Sequence, residues 1–260
     1  MLASSALPCL VVLPLRMGVP ETPAWLQARG RVAEATAAVA VVLGSGVVPA
    51  VAAEEAVPTS WRLLFSPALR LRSIVACTIF VCQVIPYFAL GTFVARVLAA
   101  LQVSSATAAG VTYNLALLLG AVLGFAVVER LPRRTFLVGS FAVAAVAVAL
   151  LLPEIAWPRW VTVTCFAVFA GTISGASNIL YVYLPELFPT FLRASGIGLA
   201  VAASRVGSAL ATFLLPVVVA GFGVKVALGT CAGVLVLGGV VCAAFVPETA
   251  AGRVGGAAAR

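Results

Sequence analysis

From residue 73 onward, long apolar stretches alternate with short connections that carry the charged residues. A helix needs about 20 predominantly apolar residues to cross the hydrocarbon core of a bilayer. The stretches lack the period-two alternation of barrel strands, so we expect helices, which satisfy their backbone hydrogen bonds internally. The pattern predicts six spans: Ser73–Leu98, Ala106–Val128, Thr135–Leu152, Val161–Leu184, Ala194–Ala220 and Val224–Val246.

Two earlier apolar stretches differ from these spans. Met1–Leu15 is too short to cross a bilayer and lacks the basic start of a signal peptide, so we interpret it as the tail of a truncated transmembrane helix rather than a signal peptide. Ala35–Ala53 is uncharged but consists mostly of Ala, Val and Gly, and we interpret it as loop with weak helices rather than a further span. The predicted organisation is residues 1–15 helix tail, 16–72 cytoplasmic central loop, 73–246 six-helix bundle and 247–260 cytoplasmic tail.

Composition narrows the protein class. Hydrophobic residues make up 63% of the chain, charged residues 9%, and the mean hydropathy is +1.19. Soluble domains average about 45–50% apolar and about 25% charged residues, so the chain is predicted to be an all-α integral membrane protein. Its apolar character makes orientation in a membrane a better explanation of the net charge of +8 than nucleic-acid binding.

The chemistry of a catalytic site is missing from the sequence. The chain has no His and no Asp, which excludes a Ser-His-Asp triad and His-based metal sites. Its six Cys lie in apolar stretches without a CxxC pair, so we expect buried thiols rather than a disulfide framework. We therefore predict no enzyme activity, no metal and no cofactor.

Arginines mark one side of the predicted membrane topology. If the six spans are real, most basic residues fall on the side that holds both ends of the helix block, whereas the other side has only Arg96, Arg159 and Lys225. The positive-inside rule makes the arginine-rich side cytoplasmic. We expect a multi-pass protein of the plasma membrane with its N-terminal loop and C-terminal tail in the cytoplasm.

Four motifs lie at intervals along the chain, and the tetrapeptide VPET occurs in two of them. They are GVPETPAWLQARGR (Gly18–Arg31), ERLPRR (Glu129–Arg134), YLPELFPTFLRASGIG (Tyr181–Gly198) and the final VPET (Val246–Thr249). In order and spacing they resemble the Pro-Glu-Ser-Pro-Arg-Trp-Leu segment after the sixth helix, the loop between the eighth and ninth helices, the loop between the tenth and eleventh helices, and the Pro-Glu-Thr sequence after the twelfth helix of major facilitator superfamily transporters in the sugar and metabolite branch.

The resemblance implies a fold and a mode of action. Such transporters consist of two similar six-helix halves that rock against each other in alternating access. Each half ends in a Pro-Glu-Ser/Thr segment, so the chain is expected to be the C-terminal half, helices seven to twelve, with the N-terminal half missing or supplied as a separate partner. Cytoplasmic charges would hold the halves together, and we expect this gating role of Glu129, Arg130, Arg133, Arg134, Glu186 and Arg193.

Arg205 lies about 17 Å into its predicted span, near the middle of a bilayer. A charge at that depth costs roughly 2.5–3.5 kcal/mol on insertion scales, so we expect Arg205 to face the interior of the bundle and to have a partner. No Glu of the chain is predicted at that depth. The partner would be in the missing half, on an anionic substrate, or among carbonyls and water. The same shortage of carboxylates predicts no proton-coupled uptake by the chain alone.

Uncharged polar residues in the spans are candidates for a substrate cavity, which needs a few donors and acceptors on an apolar wall. Gln83 and Tyr87 share a helix face at i and i+4. Gly171, Gly175, Asn178 and Tyr181 form a small and polar stripe. The predicted substrate-binding residues are Gln83, Tyr87, Asn114, Asn178, Tyr181 and Arg205; interhelical hydrogen bonding is the alternative for each amide.

The predicted function is secondary active transport of a small polar or anionic metabolite, a sugar or an organic acid. The chain would act as the C-terminal half of a larger transporter, and we expect a symporter. A non-transporting membrane protein that uses the fold for interaction or sensing, or an inactive fragment, is the alternative. The expected partners are the substrate, the bilayer and the N-terminal half, and no nucleic acid.

Overall fold

The structure is a computed structural model of the 260-residue chain. It describes residues 10, 12–14, 21, 23, 26, 30–43, 60–92, 94, 106–127, 132–152, 158–189 and 192–246. Glu129, Arg130, most of Met1–Leu15 and the C-terminal tail lie outside these residues. The chain divides into two compact units, Met1–Pro58 and Thr59–Arg260.

The first unit contains one described helix, α1 (Val32–Leu43). Its 12 residues extend about 18 Å, which is short of a bilayer crossing. Arg31 precedes the helix and donates from Nε to Glu34 Oε1 at 2.8 Å, an exposed pair in the first turn. Leu26, Ala35 and Ala38 form a small buried cluster in this unit.

The second unit is all helical over its described residues. A short 3₁₀ helix (Trp61–Phe65) precedes α2 (Arg70–Thr92), and the longer helices that follow are α3 (Ala106–Val127), α4 (Arg133–Ala149), α5 (Arg159–Leu187) and α6 (Arg193–Phe245). By length and composition, four helical stretches among the described residues can cross a membrane: Arg70–Thr92, Gly110–Val127, Trp160–Leu187 and Arg193–Phe245. The prediction of an all-α membrane protein is confirmed.

Gly223 divides α6 into two arms, which we call α6a (residues 193–222) and α6b (residues 224–245). Its φ of 84° and ψ of 167° depart from the helix in a region that is essentially restricted to glycine. The sequence predicts two spans here with a short connection, and Gly223 is the one non-helical residue between them. The chain therefore reverses its direction through the conformational freedom of a single glycine.

The core of the second unit lies between α2, α4, α5 and the two arms of α6. Helix α2 packs most extensively along α6, and α4 packs between α5 and α6. Fully buried aromatic and branched side chains fill this core, among them Phe80, Phe141, Phe169 and Ile173. Helix α3 packs mainly on α5 and leaves most of its apolar side chains exposed.

Large apolar side chains cover the outside of the bundle. About three-quarters of the surface of Phe125, Phe213 and Phe222 is exposed, at 76%, 80% and 74%. Water-soluble monomers rarely expose contiguous apolar surface on this scale. The exposed side chains fit contact with lipid, in agreement with a multi-pass membrane protein.

Two glycine pairs bring α3 and α5 into backbone contact. Gly120 and Gly124 of α3 face Gly171 and Gly175 of α5, each pair spaced four residues apart. A Cβ atom built on Gly120 would lie 2.0 Å from the carbonyl oxygen of Gly171. Small residues at this spacing allow membrane helices to approach closely, where van der Waals contact replaces the hydrophobic effect. The two glycines of the predicted stripe, Gly171 and Gly175, therefore pack against α3.

We predict that Gly120→Ala destabilises the second unit, because the added methyl group forces α3 and α5 apart. Overpacking of this kind costs about 1–3 kcal/mol. Thermal unfolding in detergent would measure the effect, with Gly110→Ala as the matched control. Gly110 lies in the same helix, and a Cβ there meets nothing within 4 Å. Equal melting temperatures for the two variants would contradict the close α3–α5 contact.

We also predict that Gly223→Ala destabilises the turn between α6a and α6b by about 1–3 kcal/mol, the cost of an L residue in a glycine-only conformation. The control is Gly221→Ala, two residues earlier within the helix, where the Cβ meets nothing within 4 Å and φ is not positive. That variant should be neutral or slightly stabilising, because Ala favours helices over Gly. Comparable losses in both variants would argue against the special role of Gly223.

Candidate functional site

Three arginines converge on the C-terminal end of α5. Arg72 at the start of α2 donates from Nη1 to the carbonyl of Leu187 at 3.3 Å, and Arg193 at the start of α6a donates from Nε to the carbonyl of Pro185 at 2.9 Å. The last carbonyls of a helix lack intrahelical partners and carry partial negative charge. The guanidinium groups therefore satisfy and neutralise the end of α5.

The third arginine joins the two loops that carry the predicted gating residues. Arg133 at the start of α4 forms an ion pair with Glu186 in the last turn of α5. The side chains are 18% and 34% exposed, so the pair is partly shielded from water. The sequence predicts two separate groups of gating charges, one in ERLPRR and one in the Glu186–Arg193 segment. In the structure, Arg133, Glu186 and Arg193 lie together at the C-terminal end of α5.

Arg134 contacts a different helix end. Its Nη2 donates to the carbonyl of Ala243 at 2.5 Å, in the last turn of α6b. The adjacent arginines of α4 thus serve two helices, Arg133 on α5 and Arg134 on α6b. We call the region that contains Arg72, Arg133, Arg134, Glu186 and Arg193 the arginine cluster.

Gln83 is buried between α2 and α5. Its Nε2 donates to the carbonyl of Ile173 at 3.2 Å and to the hydroxyl of Ser177, which itself donates to Ile173 at 3.0 Å. The amide nitrogen of Gln83 thus takes part in a hydrogen-bond network between the two helices. A role of Gln83 in substrate binding remains a prediction.

Asn178 lies at the interface between α3 and α5. Its Nδ2 donates to the carbonyl of Ala121 at 2.7 Å, and Ser174, one turn earlier, donates to the carbonyl of Leu117 at 2.8 Å. Both hydrogen bonds flank the glycine contacts of the two helices. Asn178 therefore contributes to helix packing in this arrangement, while its contact with substrate stays a prediction.

The other uncharged candidates do not converge on one cavity. Asn114 is exposed on α3 and donates to Gly110 of its own helix at 2.8 Å. Tyr181 is exposed on α5 with its ring edge-on to Phe80, and the half-buried ring of Tyr87 is edge-on to its neighbour Phe88. These three side chains remain available on the surface or at the margin of the bundle.

Tyr113 is a polar residue that the sequence did not single out as a candidate. Its side chain is only 3% exposed, and its hydroxyl has no hydrogen-bond partner among the described residues. The hydroxyl lies next to Gly91, whose added Cβ would be 3.0 Å away. A buried donor of this kind usually has a partner, so Tyr113 joins Tyr87 at the end of α2 as a candidate for contact with a ligand or water.

Arg205 is exposed about halfway along α6a and does not face the core of the described helices. That it faces the interior of a bundle formed with a second half stays a prediction. The inward face is occupied by Ser204, Gly207 and Ala211, and the Gly207 position lies against Val81 and Ile85 of α2. Close packing there leaves no room for a long side chain. Within the described residues, the Arg205 guanidinium has neither an ion pair nor a hydrogen bond.

The face of α6a around Arg205 is made of small residues. Gly198, Ala202 and Ala209 lie at positions −7, −3 and +4 from Arg205 and are exposed beside it. The neighbouring face carries the bulky exposed side chains of Val206 and Leu210 instead, and the exposed Phe213 lies at the boundary, one turn after Ala209. The helix thus exposes two chemically different surfaces, one bulky and apolar, the other small with a central positive charge.

An apolar groove lies between α4 and α5, on the outside of the bundle. It encloses about 330 Å³ and is lined by Ala142, Val143, Val146, Ala147, Leu150, Thr164, Cys165 and Val168. It contains none of the candidate residues and offers almost no hydrogen-bonding groups for a polar ligand. Over the described part of the chain, no three potential metal ligands are grouped together.

The sequence of the chain is similar to those of known transport proteins. The family model described as "Sugar (and other) transporter" matches residues 1–254. The chain is 38% identical to the inner membrane metabolite transport protein YgcS of Escherichia coli over 99% of its own length and 59% of that protein. It is 34% identical to the putative metabolite transport protein YaaU of the same organism, over 96% of the chain and 56% of the relative.

A solved structure gives the same fold. The chain superposes on the major facilitator superfamily proton:xylose symporter XylE, bound to 6-bromo-6-deoxy-D-glucose, with a TM-score of 0.75 and 21% identity, over 96% of the chain and 56% of that protein. At this identity the likeness concerns the fold alone. The chain spans little more than half the length of each of these relatives.

We predict that Arg133 and Glu186 are energetically coupled. Arg133→Gln and Glu186→Gln should each lower the free energy of unfolding, and the double variant should lose less than the sum, with a coupling of about 1 kcal/mol or less that shrinks in high salt. Denaturant unfolding in detergent would measure it. The matched cycle combines Glu186→Gln with Arg134→Gln, which should be additive because Arg134 contacts Ala243. Additivity in both cycles would contradict the ion pair.

Proposed function

Because the chain belongs to the sugar (and other) transporter family of the major facilitator superfamily, we propose that it works as the C-terminal half of a secondary active transporter. Its substrate would be a small polar or anionic metabolite, a sugar or an organic acid, carried unchanged by alternating access. The relatives named as metabolite transporters support the general substrate class.

The observation that carries the proposal is the position of Arg205. Its charge lies about 18 Å from the start of α6a, where an uncompensated guanidinium costs roughly 2.5–3.5 kcal/mol in a bilayer. The small residues around it allow another helix or a ligand to approach closely. We propose that this face of α6a lines the cavity between two six-helix halves, and that Arg205 contacts the substrate or a carboxylate of the second half.

The second half is itself part of the proposal. Residues 73–246 would be the C-terminal bundle, residues 16–72 the central loop and residues 1–15 the tail of a preceding helix. The known relatives are nearly twice as long as this chain, which supports a partner of similar size. Gln83, Tyr87, Asn114, Asn178 and Tyr181 remain proposed substrate contacts, with Tyr113 added to them.

The arginine cluster supports a gating role. Its ion pair and hydrogen bonds fasten the first turns of α2, α4 and α6a to the last turn of α5, so these helices would move as one body when the halves rock. We propose that Arg133, Arg134, Glu186 and Arg193, with Glu129 and Arg130, lie on the cytoplasmic side of the plasma membrane. The N-terminal loop and the C-terminal tail would lie on that side too.

A non-transporting role in interaction or sensing is the alternative function. The arginine cluster and the glycine contacts would serve a static scaffold equally well, because both stabilise the bundle without reference to a substrate. The distinguishing feature is again Arg205, which a static scaffold would need to cover permanently with a partner protein.

We predict substrate flux when the chain is co-reconstituted in proteoliposomes with an N-terminal six-helix half taken from a relative, and none with the chain alone. Labelled sugars and organic acids would be tested in parallel. Arg205→Gln should lower uptake of an anionic substrate at least tenfold, since a charge-assisted hydrogen bond contributes about 1.5–3 kcal/mol, and Arg205→Lys should retain part of it. Val206→Ala, on the bulky face, is the matched control.

The result also separates the two functions. If the halves assemble but no substrate crosses, the alternative of a non-transporting membrane protein is favoured. If flux is unchanged in Arg205→Gln, the proposed role of Arg205 is wrong, whatever the chain transports.

A further inference from the structure

The segment that precedes the bundle exposes aromatic and basic side chains together. Trp61 and Phe65 of the 3₁₀ helix are 63% and 55% exposed, and their rings contact each other edge-on with centroids 6.2 Å apart. The guanidinium of Arg62 lies 5.9 Å from the centre of the Trp61 ring. Arg70 and Leu71 follow at the start of α2, both exposed.

This segment is held firmly on the bundle. Leu64, between the two exposed aromatic residues, is almost completely buried, and its carbonyl accepts a hydrogen bond from Ser73 Oγ at 2.9 Å. The backbone then turns at Ser66, whose carbonyl accepts from the amide of Arg70 at 2.8 Å. Leu64 and Ser73 therefore hold Trp61 and Phe65 at a fixed position beside the first turn of a membrane-spanning helix.

The two arginines beside the aromatic residues are not used within the described bundle. Arg72 donates to the carbonyl of Leu187 and belongs to the arginine cluster. By contrast, among the residues that the structure describes, the guanidinium groups of Arg62 and Arg70 make no hydrogen bond and no ion pair, and that of Arg62 lies near the Trp61 ring. Two exposed positive charges thus remain beside an exposed tryptophan.

We propose that Trp61, Arg62, Phe65 and Arg70 form an interfacial anchor that binds the headgroup of an anionic phospholipid. Tryptophan is enriched at the level of the headgroups, where its ring is in apolar surroundings and its N–H is hydrated. Basic residues next to a transmembrane helix attract anionic lipid, and guanidinium groups match phosphate oxygens geometrically. The charge of Arg62 and Arg70 selects the headgroup, and the rings of Trp61 and Phe65 insert beside the acyl chains.

The anchor has a mechanical consequence for the bundle. Leu64 and Ser73 connect the 3₁₀ helix to α2, and Arg72 connects α2 to the end of α5. A lipid that holds Trp61 and Arg70 at the membrane surface therefore also fixes the depth of the arginine cluster. This inference depends on the membrane location and not on the transport of any substrate.

Fluorescence of Trp61 tests the anchor directly. The chain has four tryptophans, so Trp25, Trp157 and Trp160 are replaced by Phe to leave Trp61 as the reporter. The full-length chain is reconstituted in phosphatidylcholine vesicles that contain a minority of phosphatidylglycerol, with the bromine label on the acyl chains of either lipid. Quenching then reports which lipid is adjacent to Trp61.

We expect brominated phosphatidylglycerol to quench Trp61 several-fold more effectively, per mole of lipid, than brominated phosphatidylcholine. Arg62→Gln and Arg70→Gln should each reduce this preference by up to about fivefold, the contribution of one basic residue near an anionic surface. High salt, which shortens the screening length from about 10 Å to about 3 Å, should reduce it as well. Lys225→Gln, which removes one charge in the first turn of α6b, next to Gly223, should leave it unchanged.

Two outcomes would overturn the proposal. Equal quenching by both lipids, in the parent chain and in the arginine variants, would mean that Trp61 enters the bilayer without selecting a headgroup. Absence of quenching by either lipid would mean that another polypeptide segment or water covers Trp61. Circular dichroism of each variant verifies that the helices are retained, so a loss of preference is not the result of unfolding.

Discussion

The open carbonyl groups at the end of α5 are the constraint on which the organisation of the bundle depends. A helix leaves its last four carbonyls without internal partners, and Pro185 in the last turn removes one further donor. These carbonyls need hydrogen-bond donors from elsewhere, and arginine supplies several from one side chain. Arg72 and Arg193 donate to these carbonyls, and Arg133 pairs with Glu186 in the same turn. Because the three arginines lie in the first turns of three different helices, their contacts with the end of α5 also fix where α2, α4 and α6a start.

Close packing, and not charge, positions α3, because this helix has few polar groups that could bind a neighbour. Its contact with α5 depends on Gly120 and Gly124 lying against Gly171 and Gly175, with Asn178 donating to the carbonyl of Ala121 beside them. Backbone contact of this kind is sensitive to a single methyl group. The bundle therefore combines charged contacts at one end of its helices with close-packed glycines along their length.

The sequence was sufficient for the class of fold and for most helices, because apolar length and flanking charge are local properties that hydropathy measures. It could not reveal that Gly223 alone interrupts α6, since Gly221 is a glycine too and the path of the chain decides which of them adopts the positive φ. The pairing of Arg133 with Glu186 joins residues 53 positions apart, and a sequence locates both at one membrane surface without choosing between neighbouring arginines.

The candidate site shows a more specific limit of sequence reasoning. Counting residues predicts a depth for Arg205, but depth alone does not define the face of the helix on which a side chain lies. The spacing of Ser204, Gly207 and Ala211 contains that information, because small residues at this spacing indicate close helix contact. For Asn178, the facing pairs of glycines four residues apart were the available signal that the stripe packs against α3.

Lipid is a poor environment for the exposed face of α6a around Arg205. Long basic side chains near a helix end can extend to the headgroups, but Arg205 lies too deep, about 18 Å from Arg193 along the axis. Exposure to hydrocarbon would also be an unusual use of Gly198, Ala202 and Ala209, since the neighbouring face of the same helix exposes bulky side chains such as Leu210. The free-energy cost of a buried charge and the small residues around it therefore both favour a polar surface opposite Arg205. A cavity that opens and closes between two halves supplies such a surface, and it gives the charge a substrate to recognise.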